Sequence, residues 1–438
     1  MSSVAITRRT WLGSLATACL GADRLPFGID GLAAAPAKPE PPHNAIVIFL
    51  AGGMSHLDSL DPKPNAPFTI RGPWQAIDSS TPGVQLVEHL PRLAGLSQHF
   101  TLLRHLSHQQ GDHRLAERQM LSGEPFTSAD TPSLGAIVSS QVGWQIPPAF
   151  AAVPRHRSDA GVLGTGHDAF NTLGDAGDLL KQTSPMAIRP ARRRLLTLID
   201  DSGPRGLVPS PDGQARDQAY DRSLKLLGSR SLRHTLDLSR ESAQSRAKYG
   251  DTALGRHLLL ARRLVEAGSR FVLVPSPGWD THRDNFSTMA SLLPPLDQGL
   301  SALLRDLDDR GRLGQTIVLL VTEFGRTPLV NRRAGRDHWP RAMSALWAAG
   351  QRRERVLGRT DKTGGAPVGD SISPADLAVT LLTHLGIDWR NITLPPGGRL
   401  LLPDAAPIHP LTNRDPVTRP LQPGTQQPDP RTDNRTTE

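Results

Sequence analysis

Apolar residues gather along this chain in two kinds of run. The first kind is short and unbroken: residues 45–50 (AIVIFL), 271–276 (FVLVPS), 316–324 (TIVLLVTEF) and 343–350 (MSALWAAG). Runs of this length predict strands buried on both faces. The first is bounded by Pro41-Pro42 and Gly52-Gly53, which sharpens its limits. A further strand is expected near 100–104. The second kind spaces apolar residues at helical intervals. The segment HRLAERQMLSG predicts a helix closed by Gly123, and 133–142 predicts another. Residues 217–267 read as helical, interrupted near Gly228 and Gly250, and LLLARRLVEAGSR sets Leu258, Leu259, Ala261 and Leu264 on one face. The segment LPPLDQGLSALLRDLDDRGRL and the stretch opened by Ser373-Pro374 complete the helices. Strand and helix in alternation predict an α/β fold around a mostly parallel sheet.

Three segments fall outside that pattern. Residues 147–211 are rich in Gly, Pro, Asp and Arg and read as an insertion over the core of a domain spanning 38–403. Residues 404–438 turn to Pro, Thr, Asp, Arg and Gln, the composition of a disordered tail. Residues 1–37 place Arg8-Arg9 before Trp11, Leu12 and a small-residue apolar stretch, with A-x-A cleavage sites after Ala35 or Ala37. That is the pattern of a twin-arginine export signal. It implies a periplasmic or extracellular protein and the twin-arginine machinery as a partner. This route carries proteins already folded, which suits a cofactor loaded inside the cell. No later run of about 20 apolar residues could span a bilayer, so no transmembrane segment is expected in the mature protein.

Charge and cysteine usage narrow the chemistry. The formal net charge is +8, but the basic residues are scattered among Asp and Glu with no aromatic-studded basic stripe. Nucleic acid is therefore not an expected partner. The single cysteine, Cys19, lies in the N-terminal segment. Disulfides, zinc–cysteine sites and iron–sulfur clusters are thus excluded from the body of the protein, and any metal must be held by His, Asp, Glu or Asn.

In open α/β sheets, ligands sit beyond the carboxyl ends of the strands. The segment after 45–50 carries His56, Asp58 and Asp61. The one after 271–276 reads PGWDTHRDNF, with Asp280 and His282. After 317–321 comes TEFGRTP, holding Glu323 and Arg326, and GRDHWP then supplies Asp337 and His338. Between the first two lies HLSHQQGDHRLAERQMLSG, with Asp112 and His113. Carboxylates and imidazoles without thiolates suit one or two divalent ions: Zn, Mn, Mg or Ca. Two ions would clamp a phosphoryl or sulfuryl group and activate water. Arg326 either binds an anionic ester oxygen or neutralises Glu323 or Asp337. Ser55, His56 and Asp58 are too close in sequence for a serine triad, and no G-x-S-x-G elbow is present.

The segments IVIFLAGGMSHLDSLDPKP, LLLARRLVEAGSRFVLV, WDTHRDNF, VTEFGRTP and GRDHWP together resemble the DUF1501 family, a group of exported bacterial proteins related to alkaline phosphatases and sulfatases. The resemblance runs from about 44 to 401. It implies a three-layer alkaline-phosphatase-like fold with a two-metal site fed by strand ends. Asp280 and His282 resemble the pair that holds one metal, Glu323 the carboxylate of an Asp-His-Gly turn, and His338 the last histidine ligand. Among His56, Asp58 and Asp61, Asp58 is the choice for the first-strand ligand. The helix ending in Leu121-Ser122-Gly123 resembles the one that begins at the superfamily nucleophile, but His113 stands at the nucleophile position. Three alternatives follow: a metal-activated water attacks, His113 is a ligand, or ester chemistry is lost. The expected function is that of an exported metal-dependent hydrolase of phosphate or sulfate esters, with His113 and Arg326 catalytic. Asp58, Asp280, His282, Glu323 and His338 would bind metal, and the substrate would be an anionic small molecule or polysaccharide. The alternative is a catalytically degenerate binding or scaffolding protein of the same fold.

Overall fold

The four unbroken apolar runs become four adjacent strands at the middle of one eight-stranded sheet. The structure is a computed structural model that describes residues 44–412, except 126–127, 129, 158, 173–220, 351–353, 396–397, 401 and 403. The export segment, residues 413–438 and residues 173–211 of the expected insertion lie outside the described residues. The elements used below are strands β1 (Asn44–Ala51), β2 (Thr101–Leu106), β3 (Phe150–Ala152), β4 (Phe170–Asn171) and β5 (Phe271–Pro277). They continue with β6 (Thr316–Val321), β7 (Gly325–Arg326), β8 (His338–Trp339), β9 (Met343–Ala348) and β10 (Val356–Leu357). The sheet runs β10-β2-β9-β6-β1-β5-β3-β4. All its pairings are parallel except those of β9, which is antiparallel to both β2 and β6. Strands β3 and β4 arise within the stretch read as an insertion, so its first part belongs to the sheet.

The apolar runs are unbroken because both faces of the sheet are covered. Along β1, Ile46, Ile48 and Leu50 enter one core with Val272, Val274, Val318 and Leu320. Ala45, Val47 and Phe49 enter the other with Phe271, Leu273, Ile317 and Leu319. Helices α3 (Ala253–Glu266) and α4 (Asn285–Asp309) cover the first core. Helices α1 (His113–Ser122), α2 (Leu134–Val142) and α5 (Pro374–His384) cover the second. The result is three layers, helices on each side of the mostly parallel sheet, as expected for an alkaline-phosphatase-like α/β fold.

Two boundaries differ from the sequence reading. Helix α4 begins at Asn285, not Leu293, and carries Pro294 and Pro295 in its interior. An interior proline costs a helix about 3 kcal/mol. Met289 on the added turns and Leu293 next to them are fully buried, and that packing outweighs the local cost. Residues 404–412, read as the start of the tail, lie against α5: the Ile408 amide donates to Thr380 Oγ1 at 2.9 Å and Leu411 is fully buried.

The loops at the carboxyl end of the sheet are tied by buried charge. Arg336, fully buried, donates to Asp58 through Nε at 2.6 Å and Nη2 at 2.9 Å. Asn285 Nδ2 and Ser55 Oγ also donate to Asp58 Oδ2, at 2.9 and 2.6 Å. Arg336 further donates to the carbonyls of Ile70, Thr327 and Pro328. The post-β1 loop and the approach to β8 are thus held together. Removing one partner strands a buried charge, so Asp58→Ala and Arg336→Leu should each destabilise the fold by about 3–5 kcal/mol. Urea titrations check this, and a loss below about 1 kcal/mol for either variant would show that the pair is not holding the loops.

Stability should also fall in acid. Burial holds His56, His105 and His108 below the ordinary imidazole range. The unfolded chain therefore binds protons first, near its usual pKa of about 6.5. Stability from these groups is complete above that value and is lost as pH falls through it. His113, raised by its bond to Glu323, works in the opposite sense. Denaturation midpoints at pH 7.5 and 5.5 should show the acid sample weaker, and an equal or stronger acid sample would overturn the reading.

Candidate metal centre

Four loops deliver side chains to one point beyond the carboxyl ends of the parallel strands. Leaving β1, the chain turns on Gly52 and Gly53, with φ of 120° and 79°. A Cβ on Gly52 would lie 2.3 Å from the Asp280 amide nitrogen, so only glycine lets this loop approach the one after β5. Asp280 and His282 follow β5, Glu323 follows β6, and His338 opens β8, paired with Arg326 of β7. His113 is the first residue of α1, whose start is capped by Asp112 Oδ1 accepting from the Leu115 amide at 3.0 Å.

His113, Asp280, His282 and His338 each offer a ligand atom, and these atoms all lie within 4.8 Å of one another. His282 Nε2 and His338 Nε2 are 2.8 Å apart. Asp280 Oδ1 lies 3.3 Å from His282 Nε2 and 3.7 Å from His338 Nε2, and its Oδ2 lies 3.5 Å from His113 Nε2. Donors on one tetrahedral zinc stand roughly 3.3 Å apart, given bonds near 2.0 Å.

The rings are oriented from behind. His113 Nδ1 faces Glu323 Oε1 at 2.7 Å, His282 Nδ1 faces Asp337 Oδ1 at 2.8 Å, and His338 Nδ1 faces the Gly111 carbonyl at 2.8 Å. These oxygens accept when the carboxylates are ionised, so each Nδ1 carries the hydrogen and each Nε2 turns a lone pair inward. His113 Nε2 is buried with no hydrogen-bond partner. Inward lone pairs from three imidazoles, beside a carboxylate, fit a cation. Among the described residues this is the one His/Cys/Asp/Glu group so arranged.

Charge at the centre follows the same contacts. The Glu323 bond raises His113 above the usual imidazole range. Burial pushes the Asp280 carboxyl up, but the bond and charge of Arg326 outweigh it and Asp280 ends below the ordinary range. The bond from His282 lowers Asp337, and burial lowers His338. The Asp280 side chain is 50% exposed and that of His282 41%, so solvent reaches one side of the cluster.

Three expected ligands therefore converge: Asp280, His282 and His338. His113, expected as a catalytic group at the nucleophile position, joins them. The others are placed differently. Glu323 stands behind His113, accepting also from the Gly52 amide at 2.7 Å and from Thr322 Oγ1 at 3.0 Å. Asp58 lies outside the cluster, because Arg336, Asn285 and Ser55 take both its oxygens. Asp61 is bound by Lys63, Arg104 and Thr360, and His56 by the Gly364 carbonyl. Arg326, expected as a catalytic group, is turned to protein oxygens. Fully buried, it donates to the carbonyls of Gly52, Gly53 and Arg336 and to Asp280 Oδ1 at 2.6 Å. Sequence reasoning missed Arg336, which stands within GRDHWP, and the Gly111 carbonyl, which no side-chain pattern could reveal.

The chain shows remote likeness to several solved structures. One is the zinc complex of the C-terminal periplasmic domain of EcEptC from Escherichia coli, at 9% identity and TM-score 0.38, covering 79% of this chain and 83% of that one. Another is the PsFucS1 sulfatase from Pseudoalteromonas sp., at 14% identity and TM-score 0.34, covering 80% of this chain and 68% of that one. A third is a magnesium-bound mutant of TAB5 alkaline phosphatase, at 11% identity and TM-score 0.37, covering 80% of this chain and 100% of that one. No curated protein matches the sequence. The family described as "Protein of unknown function (DUF1501)" matches residues 42–411, and the chain belongs to that family.

Proposed function

We propose that this protein is an exported, metal-dependent hydrolase of phosphate or sulfate esters. The observation that carries the reading is the convergence of three imidazole Nε2 atoms and the Asp280 carboxylate on one solvent-reached point. His113, Asp280, His282 and His338 would hold one divalent ion, and an imidazole-rich set favours zinc among the candidates. Bound there, the ion would supply Lewis-acid polarisation of an ester oxygen and a lowered pKa for water. The chain's own groups prepare that site. Glu323, Asp337 and the Gly111 carbonyl hold the ring hydrogens on the far nitrogens, so the near nitrogens stay free to bind. Arg326 fixes Asp280 and keeps it ionised. The exposed sides of Asp280 and His282 leave room for a substrate. The ester class is supported by Asp280, His282 and His338, the positions that the resemblance to alkaline phosphatases and sulfatases implied, meeting at one point. The twin-arginine segment would carry the folded, loaded protein to the periplasm or beyond.

A second reading, a binding protein of the same fold without turnover, is favoured by Arg326. Fully buried, it spends four of its five N–H donors on protein oxygens, so it offers little to an ester anion.

Elemental analysis of protein purified in folded form should find close to one equivalent of divalent metal. The His282→Ala, His338→Ala pair should lose it, together with any turnover of aryl phosphates and aryl sulfates. Absence of metal from the native protein would sink both the metal centre and the hydrolase, whereas stoichiometric metal without turnover would select the binding reading.

Glu323→Gln should weaken metal affinity about 10–100-fold, the usual effect of losing a partner behind a ligating histidine. Competition with a chromogenic chelator measures this, and an unchanged affinity would remove Glu323 from the site.

A further inference from the structure

A cleft of about 820 Å³ lies between residues 63–66 and the hairpin 359–368. One wall docks on β8, the strand that carries His338. Residues 63–66 continue the post-β1 loop. The hairpin docks on that loop through His56 Nε2, 2.8 Å from the Gly364 carbonyl, and on β8 through Trp339 Nε1, which donates to the Gly365 carbonyl at 2.7 Å. Trp339 is the neighbour of His338. The hairpin is also closed by its own backbone, with Asp361 N donating to Ala366 O and Val368 N to Arg359 O, each at 2.9 Å.

The cleft carries surplus positive charge. Lys63, Arg359 and Lys362 line it, and Arg359 and Lys362 are exposed. Of the acids nearby, Asp361 also lines the cleft and offsets one of these charges, leaving the cations in excess. Asp61 is buried beneath, shared between Lys63 at 2.9 Å and Arg104 at 3.3 Å. Asp361 turns its Oδ1 into the hairpin, accepting from the Thr363 and Gly365 amides at 2.8 and 3.0 Å. Asn65 adds a polar side chain, and Val368, 42% exposed, an apolar surface. Concave positive surfaces on rigid walls concentrate anions. The volume exceeds that needed for a lone phosphate or sulfate and suits a segment of a larger molecule.

We propose that this cleft binds a second anionic ester group on a chain-like polysaccharide substrate, at a distance from the bond that the metal centre acts on. The inference rests on the proposed hydrolase reading and adds its substrate class. Remote binding of this kind supplies energy for orienting the reacting ester. Arg359 and Lys362 pair with the anionic group, and the apolar wall at Val368 takes the carbon skeleton.

Calorimetry on metal-stripped full-length protein tests the cleft separately from the metal. The probes are short dextran sulfate, inorganic polyphosphate, neutral dextran and single-stranded DNA. Dextran sulfate or polyphosphate should bind, and the tighter of the two identifies the ester as sulfate or phosphate. Neutral dextran should not bind, and Arg359→Gln, Lys362→Gln should weaken binding about tenfold or more, as expected for losing charge-assisted hydrogen bonds. Binding should persist in His282→Ala, so failure of the metal centre leaves this result standing. No binding of either anionic chain, undiminished binding by the double variant, or DNA binding as tight as the better anionic chain would each overturn the proposal. Thermal melts of the double variant, whose changed side chains are exposed, separate lost binding from lost folding.

Discussion

The candidate centre depends on one buried guanidinium. Arg326 has no access to water, so its donors must be met by protein oxygens. Four of the five are met by the carbonyls of Gly52, Gly53 and Arg336 and by the Asp280 carboxylate. Those partners come from the loops after β1 and β5 and from the approach to β8. One side chain therefore sets the spacing of three loops and aims a carboxylate at the three imidazoles. Arg336 does similar work a short distance away, through Asp58 and the carbonyls of the neighbouring loops. Together the two arginines form a rigid polar platform under a site that is itself open.

That division of labour has a physical basis. A cation site needs donors with fixed lone pairs, yet its outer side must admit water and substrate. Here the fixed side is buried: Glu323 and the Gly111 carbonyl hold rings from below, and Phe324, fully buried, lies 4.4 Å from the His338 ring and 4.9 Å from that of His113. The open side is formed by Asp280 and His282. His113, the first residue of α1, is bound to Glu323 and joins the donor set. The four ligand atoms gather at one point, while Asp58 and Glu323 are turned to other partners.

Much of this was legible in the sequence. The unbroken runs at 45–50, 271–276, 316–324 and 343–350 marked the central strands because burial on both faces removes polar residues from both faces. Asp280 and His282 could be marked because they follow a strand in a parallel sheet, whose carboxyl ends share one edge, and His338 because GRDHWP resembles the family's last histidine ligand. Asp58 and Glu323 look like ligands by the same logic. A sequence shows residue types but not which nearby group takes the oxygens. Asp58 could not be separated from a ligand without seeing Arg336, which is distant in the chain and adjacent in space. The start of α4 was hidden for a related reason, since local proline chemistry argued against turns that core packing sustains.

The sequence by itself determined the fold class, the absence of thiolate ligands from the body of the protein and the edge of the sheet where chemistry gathers. Those follow from local composition and from the direction of parallel strands. Only the tertiary structure decided which polar side chains face inward together and which neutralise one another. The reason is that a buried carboxylate or guanidinium takes the partner nearest in space, and in this fold the partners of Asp58, Glu323 and Arg326 are supplied by other loops.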